Sequence, residues 1–272
     1  MNNKRSVVAN GEEIDITQYW SMHERRFLHS IDALKRHARG KTLEIGGHPW
    51  AMTSLIAGTK EFDLVATVSA EEVTKWPDDI GVTSANYNLQ SFEGKSVCFR
   101  NYSLNIERKL VDLDEKFDAI VACEVIEHLI RAPHIMLLNM NRWLNLNGVI
   151  LLTTPNGLQF NNPFRLKNAR PAYRCHAYER HNGTFTLSQL EDIVQRSGFS
   201  ILESGYWSVY DRAGMSQLYG LLSKIPIEYF QAKFSRTIFV IARKNADCDT
   251  LNGCPSAYAY SPDWEHISAS QS

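Results

Sequence analysis

The chain has 272 residues, with 29 Lys plus Arg against 30 Asp plus Glu and a net charge of -1. That balance supplies no global attraction to nucleic acid or to an anionic membrane surface. A hydrophobic fraction of 44% supports one large core, no run approaches the ~20 apolar residues of a bilayer span, and the polar stretch Met1–Glu13 does not read as a secretory signal. The cysteines Cys98, Cys123, Cys175, Cys248 and Cys254 are odd in number and contain no CxxC pair. Neither a zinc knuckle nor a disulfide framework is indicated, and a cytoplasmic location is expected.

In chain order, residues 12–38 carry an amphipathic helical pattern through Phe27, Leu28, Ile31 and Leu34. Short apolar runs then predict strands at Thr42–Ile45, Asp63–Val68, Val97–Arg100, Asp118–Cys123 and Val149–Thr153. Pro133 opens a predicted helix over His134–Leu146, which Asn147-Gly148 stops. A second predicted helix, Leu187–Arg196, follows the N-cap Thr186 and ends at Ser197-Gly198. Strands near Ser200–Tyr206 and Thr237–Ala242 close the pattern. The alternation predicts an α/β fold with a mostly parallel, seven-stranded sheet and helices on both faces. The expected organisation is an N-terminal helical extension at 1–38, one domain at 39–244, and a loosely held tail at 245–272. Insertions at 156–185 and 208–235 are expected to cover the ligand-binding edge of the sheet.

The segment Thr42-Leu-Glu-Ile-Gly-Gly47 is a buried strand that ends in glycines before a helix. Glycine there admits a ligand close to the backbone, and Glu44 suits the amino group of an amino-acid-like ligand. Many α/β proteins share that turn.

The later segments are more specific. Phe117-Asp-Ala-Ile-Val-Ala-Cys-Glu-Val-Ile-Glu-His-Leu129 resembles the fourth-strand motif of class I S-adenosylmethionine-dependent methyltransferases. Trp143-Leu-Asn-Leu-Asn-Gly-Val-Ile-Leu-Leu-Thr-Thr-Pro-Asn156 is similar to that family's fifth strand, and Phe185-Thr-Leu-Ser-Gln-Leu190 and Ser197-Gly-Phe199 follow in family order. The resemblance covers roughly residues 40–206. Within the superfamily, the chain resembles the branch with ubiquinone-pathway O-methyltransferases, small-RNA terminal 2′-O-methyltransferases and glycan-associated methyltransferases. Arg25–Leu28 and Asn105-Ile-Glu107 favour the glycan-associated group.

The resemblance implies a Rossmann-like methyltransferase fold that binds S-adenosylmethionine across Gly46 and Gly47. It puts Asn105 at the adenine and Glu124 beside the sulfonium. Two departures stand out. The usual Gly-x-Gly-x-Gly is thinned to Gly46-Gly47, and Ser69 stands where an acidic residue would bind the ribose hydroxyls, with Glu71 or Glu72 nearby. Trp50 and Trp143 read as structural.

Glu124, Glu127 and His128 are spaced i, i+3, i+4, so one helical turn would put them on one side. In the quinone-pathway and small-RNA relatives, that pattern and a downstream His bind a divalent cation. The matching set here is Glu124, Glu127, His128 and His181, a site for Mg, Mn, Fe or Zn. Beside this stands a metal-free reading, in which His128 is a general base or a packed histidine and Glu127 favours a helix terminus. His176 is a lesser candidate. Arg165, Lys167, Arg170, Arg174 and Arg180, interleaved with Phe164, Tyr173 and Tyr178, form either a clamp for a phosphate or sugar face or a solvated lid.

The acceptor expected first is a hydroxyl of a sugar, glycan or other small natural product. A quinone-like hydroxyl and an RNA end are alternatives, the latter disfavoured by the neutral charge. A methyltransferase-like binding protein without activity is the non-enzyme alternative.

Overall fold

Backbone pairing in parallel, buried on both faces, organises the centre of the molecule, because the apolar runs have no solvated side. In the computed structural model, the described residues are 4–69, 82–107, 109–129, 132–159, 173–176, 181–207 and 215–252, with backbone alone for 173–176, 181–183 and 215–217. The elements are β1 (Ser6–Ala9), β2 (Glu12–Asp15), α1 (Thr17–Lys35), β3 (Gly40–Ile45), α2 (Ala51–Gly58), β4 (Phe62–Ser69), β5 (Thr83–Gln90), β6 (Ser96–Ser103) and β7 (Phe117–Cys123). Then follow α3 (Pro133–Trp143), β8 (Leu144–Pro155), β9 (Tyr173–His176), β10 (His181–Gly183), α4 (Leu187–Arg196), β11 (Phe199–Trp207), α5 (Met215–Leu222), α6 (Glu228–Phe234) and β12 (Thr237–Lys244).

The main sheet has ten strands in the order β11-β12-β8-β7-β3-β4-β6-β5-β1-β2. Strands β8, β7, β3, β4 and β6 are mutually parallel, while β12 runs antiparallel to both β8 and β11. These seven form the Rossmann-like methyltransferase sheet expected from the sequence. The other three extend it. β5 pairs antiparallel with β6, and the β1–β2 hairpin adds to β5.

Those three additions went unread in the sequence because their buried residues, Val7, Ala9 and Leu89, are too few and too scattered to make an apolar run. β5 reads Thr-Ser-Ala-Asn-Tyr-Asn-Leu-Gln, and of its residues only Leu89 is buried. It is held by its ladder to β6, not by an apolar face. Likewise the helical pattern assigned to 12–38 resolves into β2 and then α1, which begins at Thr17.

Two apolar layers flank the sheet. On one side α1 and α2 bring Phe27, Ile31, Leu34 and Ile56 against Val121, Leu151 and Ile241. On the other, α3 and α4 bring Met136, Leu137 and Leu190 against Ile45, Ile120, Ile150 and Leu152. Thr186 caps α4 as expected, accepting from the Gln189 backbone at 3.2 Å while the Gln189 side chain accepts from the Thr186 N–H at 3.0 Å. Such a box stabilises a helix by about 0.5–2 kcal/mol.

The helix expected over His134–Leu146 stops earlier. Trp143 is fully buried and its indole donates to the Val111 carbonyl at 2.7 Å, and Leu144 already pairs with Phe117. Asn147, at φ 66°, turns the chain inside β8 and not at its start. The tail also departs from expectation over its first residues. The side chain of fully buried Asn141 donates to the Ser197 and Ala246 carbonyls at 3.1 and 3.0 Å and accepts from the Cys248 N–H at 3.1 Å. Residues 245–252 are therefore docked on α3 and α4; residues 253–272 lie outside the described residues.

Candidate cofactor and catalytic site

Strand register assembles the site. Ile45 pairs with Val68 on one side and Ala122 on the other, Ser69 pairs with Ser103, and Cys123 pairs with Thr153. Gly46, Ser69, Ser103, Cys123 and Thr153 thus end at one level, and Asn105 and Glu124 lie one or two residues beyond. This is the carboxyl edge, where open α/β sheets bind ligands.

Glu44 is buried and accepts from the Thr53 hydroxyl of α2 at 2.5 Å. Burial pushes its carboxyl up to about 7, and the Thr53 hydrogen bond opposes that shift. Gly46 has φ +82°, and an added Cβ would sit 2.8 Å from Val125 Cγ2. At Gly47 a Cβ would meet the Trp50 ring at 3.0 Å and Thr53 Oγ1 at 3.2 Å. These contacts give both glycines a packing role within the protein itself. The space a side chain would take is filled by the protein itself, so left-handed backbone and internal packing require glycine at position 46. Trp50 is buried and packs on Tyr87 and Phe99, with ring centroids 5.5 and 5.6 Å away.

Ser69 Oγ accepts from Asn101 Nδ2 at 3.0 Å, and Asn101 Oδ1 accepts from Thr67 Oγ1 at 2.7 Å. A neutral hydroxyl–amide chain therefore stands where the resemblance expects a carboxylate. Glu71 and Glu72 lie outside the described residues. The Asn105 side chain accepts from the Glu107 N–H at 3.1 Å and so shapes its own turn.

The Glu124–His128 segment does not form the helical turn assumed from its spacing. Glu124 takes a left-handed backbone at φ 56°, and Ile126–His128 forms a single 3-10 turn. Glu124 Oε1 accepts from Thr153 Oγ1 at 3.1 Å; Glu127 Oε2 accepts from Thr154 Oγ1 at 3.0 Å. Successive strand residues point to opposite faces of a sheet. Each carboxylate is thus held by its own threonine, and the two stay close enough for Glu124 to raise the Glu127 carboxyl.

Glu127 is almost wholly buried, and desolvation, followed by the nearby Glu124, raises its carboxyl well above the ordinary range. Its Oε1 has no hydrogen-bond partner among the described residues and lies 4.0 Å from His128 Nε2. The backbone of β10, which carries His181, runs beside the 126–128 turn. The His181 and His176 side chains lie outside the described residues, as do Phe164, Arg165, Lys167, Arg170, Tyr178 and Arg180; Tyr173 and Arg174 are described as backbone alone. Among the described residues, no group of three or more His, Cys, Asp or Glu is placed to hold a metal ion.

Three residues of α1 join the site; Tyr19 and His23 were not singled out in the sequence, and Arg26 was noted only within the Arg25–Leu28 segment. Arg26 Nη1 lies 3.0 Å from Glu124 Oε2, with both side chains largely buried. Burial pushes the Tyr19 hydroxyl up to about 12, with Arg26 opposing and Glu44 and Glu124 adding to the rise. His23 packs edge-on against Tyr19 at 4.6 Å, and burial, with Arg26 and Arg236, lowers its imidazole to about 4. Their i, i+4, i+7 spacing was the available signal. It was hidden beside the apolar stripe of Phe27, Ile31 and Leu34.

A cleft of about 370 Å³ opens beyond the carboxyl ends of β8 and β11, between the start of α4 and α6. Thr186, Ser188, Glu191, Tyr206, Glu228 and Tyr229 supply its polar and aromatic lining. Thus residues from both flanks of the expected insertions, Leu158 and Tyr229 among them, reach this edge.

Strand order, the reversed β12 and a ligand edge built from Gly46, Ser69 and Glu124 define a protein of the Rossmann-like methyltransferase class. The family described as "Methyltransferase domain" matches residues 19–204, and the chain belongs to this family of S-adenosylmethionine-dependent methyltransferases. No curated protein matches the chain. Among solved structures, it is similar to a protein described as a sarcosine dimethylglycine methyltransferase from Galdieria sulphuraria, at 12% identity and TM-score 0.50, covering 86% of this chain and 89% of that one. A methyltransferase-like protein from Bacillus halodurans matches at 12% identity and TM-score 0.50, over 82% of this chain and 100% of that one. The cyclase SpnF matches at 12% identity and TM-score 0.50, over 81% and 80%. At this identity the likeness is one of fold.

Proposed function

We propose that the chain is an S-adenosylmethionine-dependent O-methyltransferase whose acceptor is a hydroxyl of a sugar or glycan. The observation that carries the acceptor class is the cleft. Tyr206 and Tyr229 offer aromatic faces, while Glu191, Glu228, Thr186 and Ser188 offer acceptors and donors for a polyhydroxylated ring. Two carboxylates in that lining oppose a phosphate-rich RNA end.

The donor set suits the cofactor. In this reading buried Glu44 would meet the ammonium and the Ser69–Asn101 pair would offer neutral partners to the ribose hydroxyls, with Asn105 at the adenine as the resemblance implies. When bound, S-adenosylmethionine supplies an electrophilic methyl group on a sulfonium, displaced in line by the acceptor oxygen. The protein aligns the two partners and accepts the proton. His128 is the base in this reading, and buried Glu127, at 4.0 Å from His128 Nε2, orients it. The divalent cation is left out, because Glu124 is already paired with Arg26.

Incubation with methyl-labelled cofactor and a panel of sugars, nucleotide sugars, phenols and RNA oligonucleotides tests the proposal. Label in an ether on a sugar oxygen supports it. Label on a phenol, an amine or RNA overturns the acceptor class. Absence of cofactor binding in calorimetry supports the inactive binding protein instead, for which the thinned glycine turn and Ser69 speak.

A further inference from the structure

The cation implied by the sequence pattern requires Glu124, Glu127, His128 and His181 to converge, and the donor set does not fit it. Each carboxylate has one oxygen committed to a threonine: Glu124 Oε1 to Thr153, Glu127 Oε2 to Thr154. That leaves Glu124 Oε2 and Glu127 Oε1 as the open acceptors. Arg26 already takes the first at 3.0 Å, from a side chain only 9% exposed.

A guanidinium is charged at every accessible pH and cannot step aside by losing a proton. A divalent ion added beside it would meet a fixed like charge in a poorly screened setting. The helix that delivers Arg26 is not a loose cover, since its neighbours Phe27 and Ile31 are 2% exposed in the core. Arg26 Nε is itself buried without a hydrogen-bond partner among the described residues, so the guanidinium keeps a donor in reserve at this edge.

We propose that Arg26 is the resident cation of the site, a positioning residue that occupies, against Glu124, the place the sequence pattern assigns to a divalent metal. It fixes the Glu124 carboxylate at the end of β7, where the left-handed backbone at φ 56° would otherwise be poorly held. Arg26 has this role whichever acceptor is methylated.

Manganese titration followed by electron paramagnetic resonance tests it on the full chain, where every candidate donor is present, His181 included. The wild type is expected to take up no stoichiometric Mn2+. Arg26→Met, similar in length but uncharged, is expected to bind it more tightly by about tenfold or more, and Glu127→Gln in that background should abolish the gain. One tight equivalent in the wild type that Glu127→Gln or His181→Ala removes would overturn the proposal. So would a folded Arg26→Met with unchanged Mn2+ affinity. If Arg26→Met does not fold, the wild-type titration decides alone: a tight site lost in Glu127→Gln overturns the proposal, and no tight site upholds it. Calorimetry with S-adenosylhomocysteine on the same samples reports separately on the proposed reaction.

Discussion

Thr53 Oγ1 donates to Glu44 Oε2 at 2.5 Å, tying the first turn of α2 to the strand that leads into Gly46. Burial nonetheless holds the Glu44 carboxyl at about 7. An ammonium ligand is best met by the ionised form, so cofactor affinity should fall as pH drops below 7. The fall approaches about tenfold per unit once the carboxyl is mostly protonated. Calorimetry with S-adenosylhomocysteine between pH 6 and pH 8 checks this.

Stability runs the other way. Because the folded value is raised from 4.5 to about 7, the contribution is full below 4.5 and is lost as pH rises through 7. Glu44→Gln should therefore stabilise the cofactor-free protein at pH 8 by roughly 2–4 kcal/mol and change little at pH 4.5. It should weaken cofactor binding at pH 8. Equal urea midpoints for the two proteins at pH 8 would show that Glu44 is not strained by burial.

Gly46→Ala is expected to destabilise the protein, not merely to block a ligand. The left-handed backbone alone costs about 1–2 kcal/mol for an L-residue, and the new Cβ would lie 2.8 Å from Val125 Cγ2. Adding Val125→Ala should relieve the clash and leave the backbone cost. Urea unfolding of the two variants separates the terms.

Thr154→Val removes the side-chain hydrogen bond to Glu127 Oε2 from a buried carboxyl, at a cost of about 1–3 kcal/mol. In the proposed reaction His128→Ala should lower turnover by about 10²–10⁴ while cofactor affinity holds. Full turnover in His128→Ala would remove the histidine from proton transfer.

The sequence and the structure agree where burial is enforced on both faces. β3, β7 and β8 had to be apolar to sit at the sheet centre, so their positions were readable. β5 and the β1–β2 hairpin answer chiefly to backbone pairing at an edge, where a few buried residues such as Val7 and Leu89 make too short a pattern to read. The site divides in a similar way. Glu44, Gly46 and Glu124 follow directly from strand ends, whereas Thr53, Tyr19, His23 and Arg26 arrive from helices whose apolar faces dominate their pattern. Spacing alone suggested that Glu124 and Glu127 share a helical turn; a left-handed residue and a single 3-10 turn hold them instead, each on its own threonine.

Asn141→Leu keeps the branching of the side chain and strands the Ser197 and Ala246 carbonyls and the Cys248 N–H. With about 1 kcal/mol per lost bond and further desolvation cost, stability should fall by roughly 2–4 kcal/mol. Proteolysis after Lys244 should accelerate in the variant. An unchanged cleavage rate would show that Asn141 does not fasten the 245–252 segment.

The pairing of α1 with late strands also sets a schedule for synthesis. Arg36 on the α1 C-cap bonds Glu203, 167 residues further along the chain. At ~5–20 residues per second, a ribosome needs roughly 10–30 s to supply that partner. Until Val121, Leu151 and Ile241 have emerged, Phe27, Ile31 and Leu34 have only an incomplete sheet to lie on. Ribosome-bound chains stalled near residue 110 should therefore recruit a holding chaperone through α1, and chains long enough to expose β11 and β12 should release it.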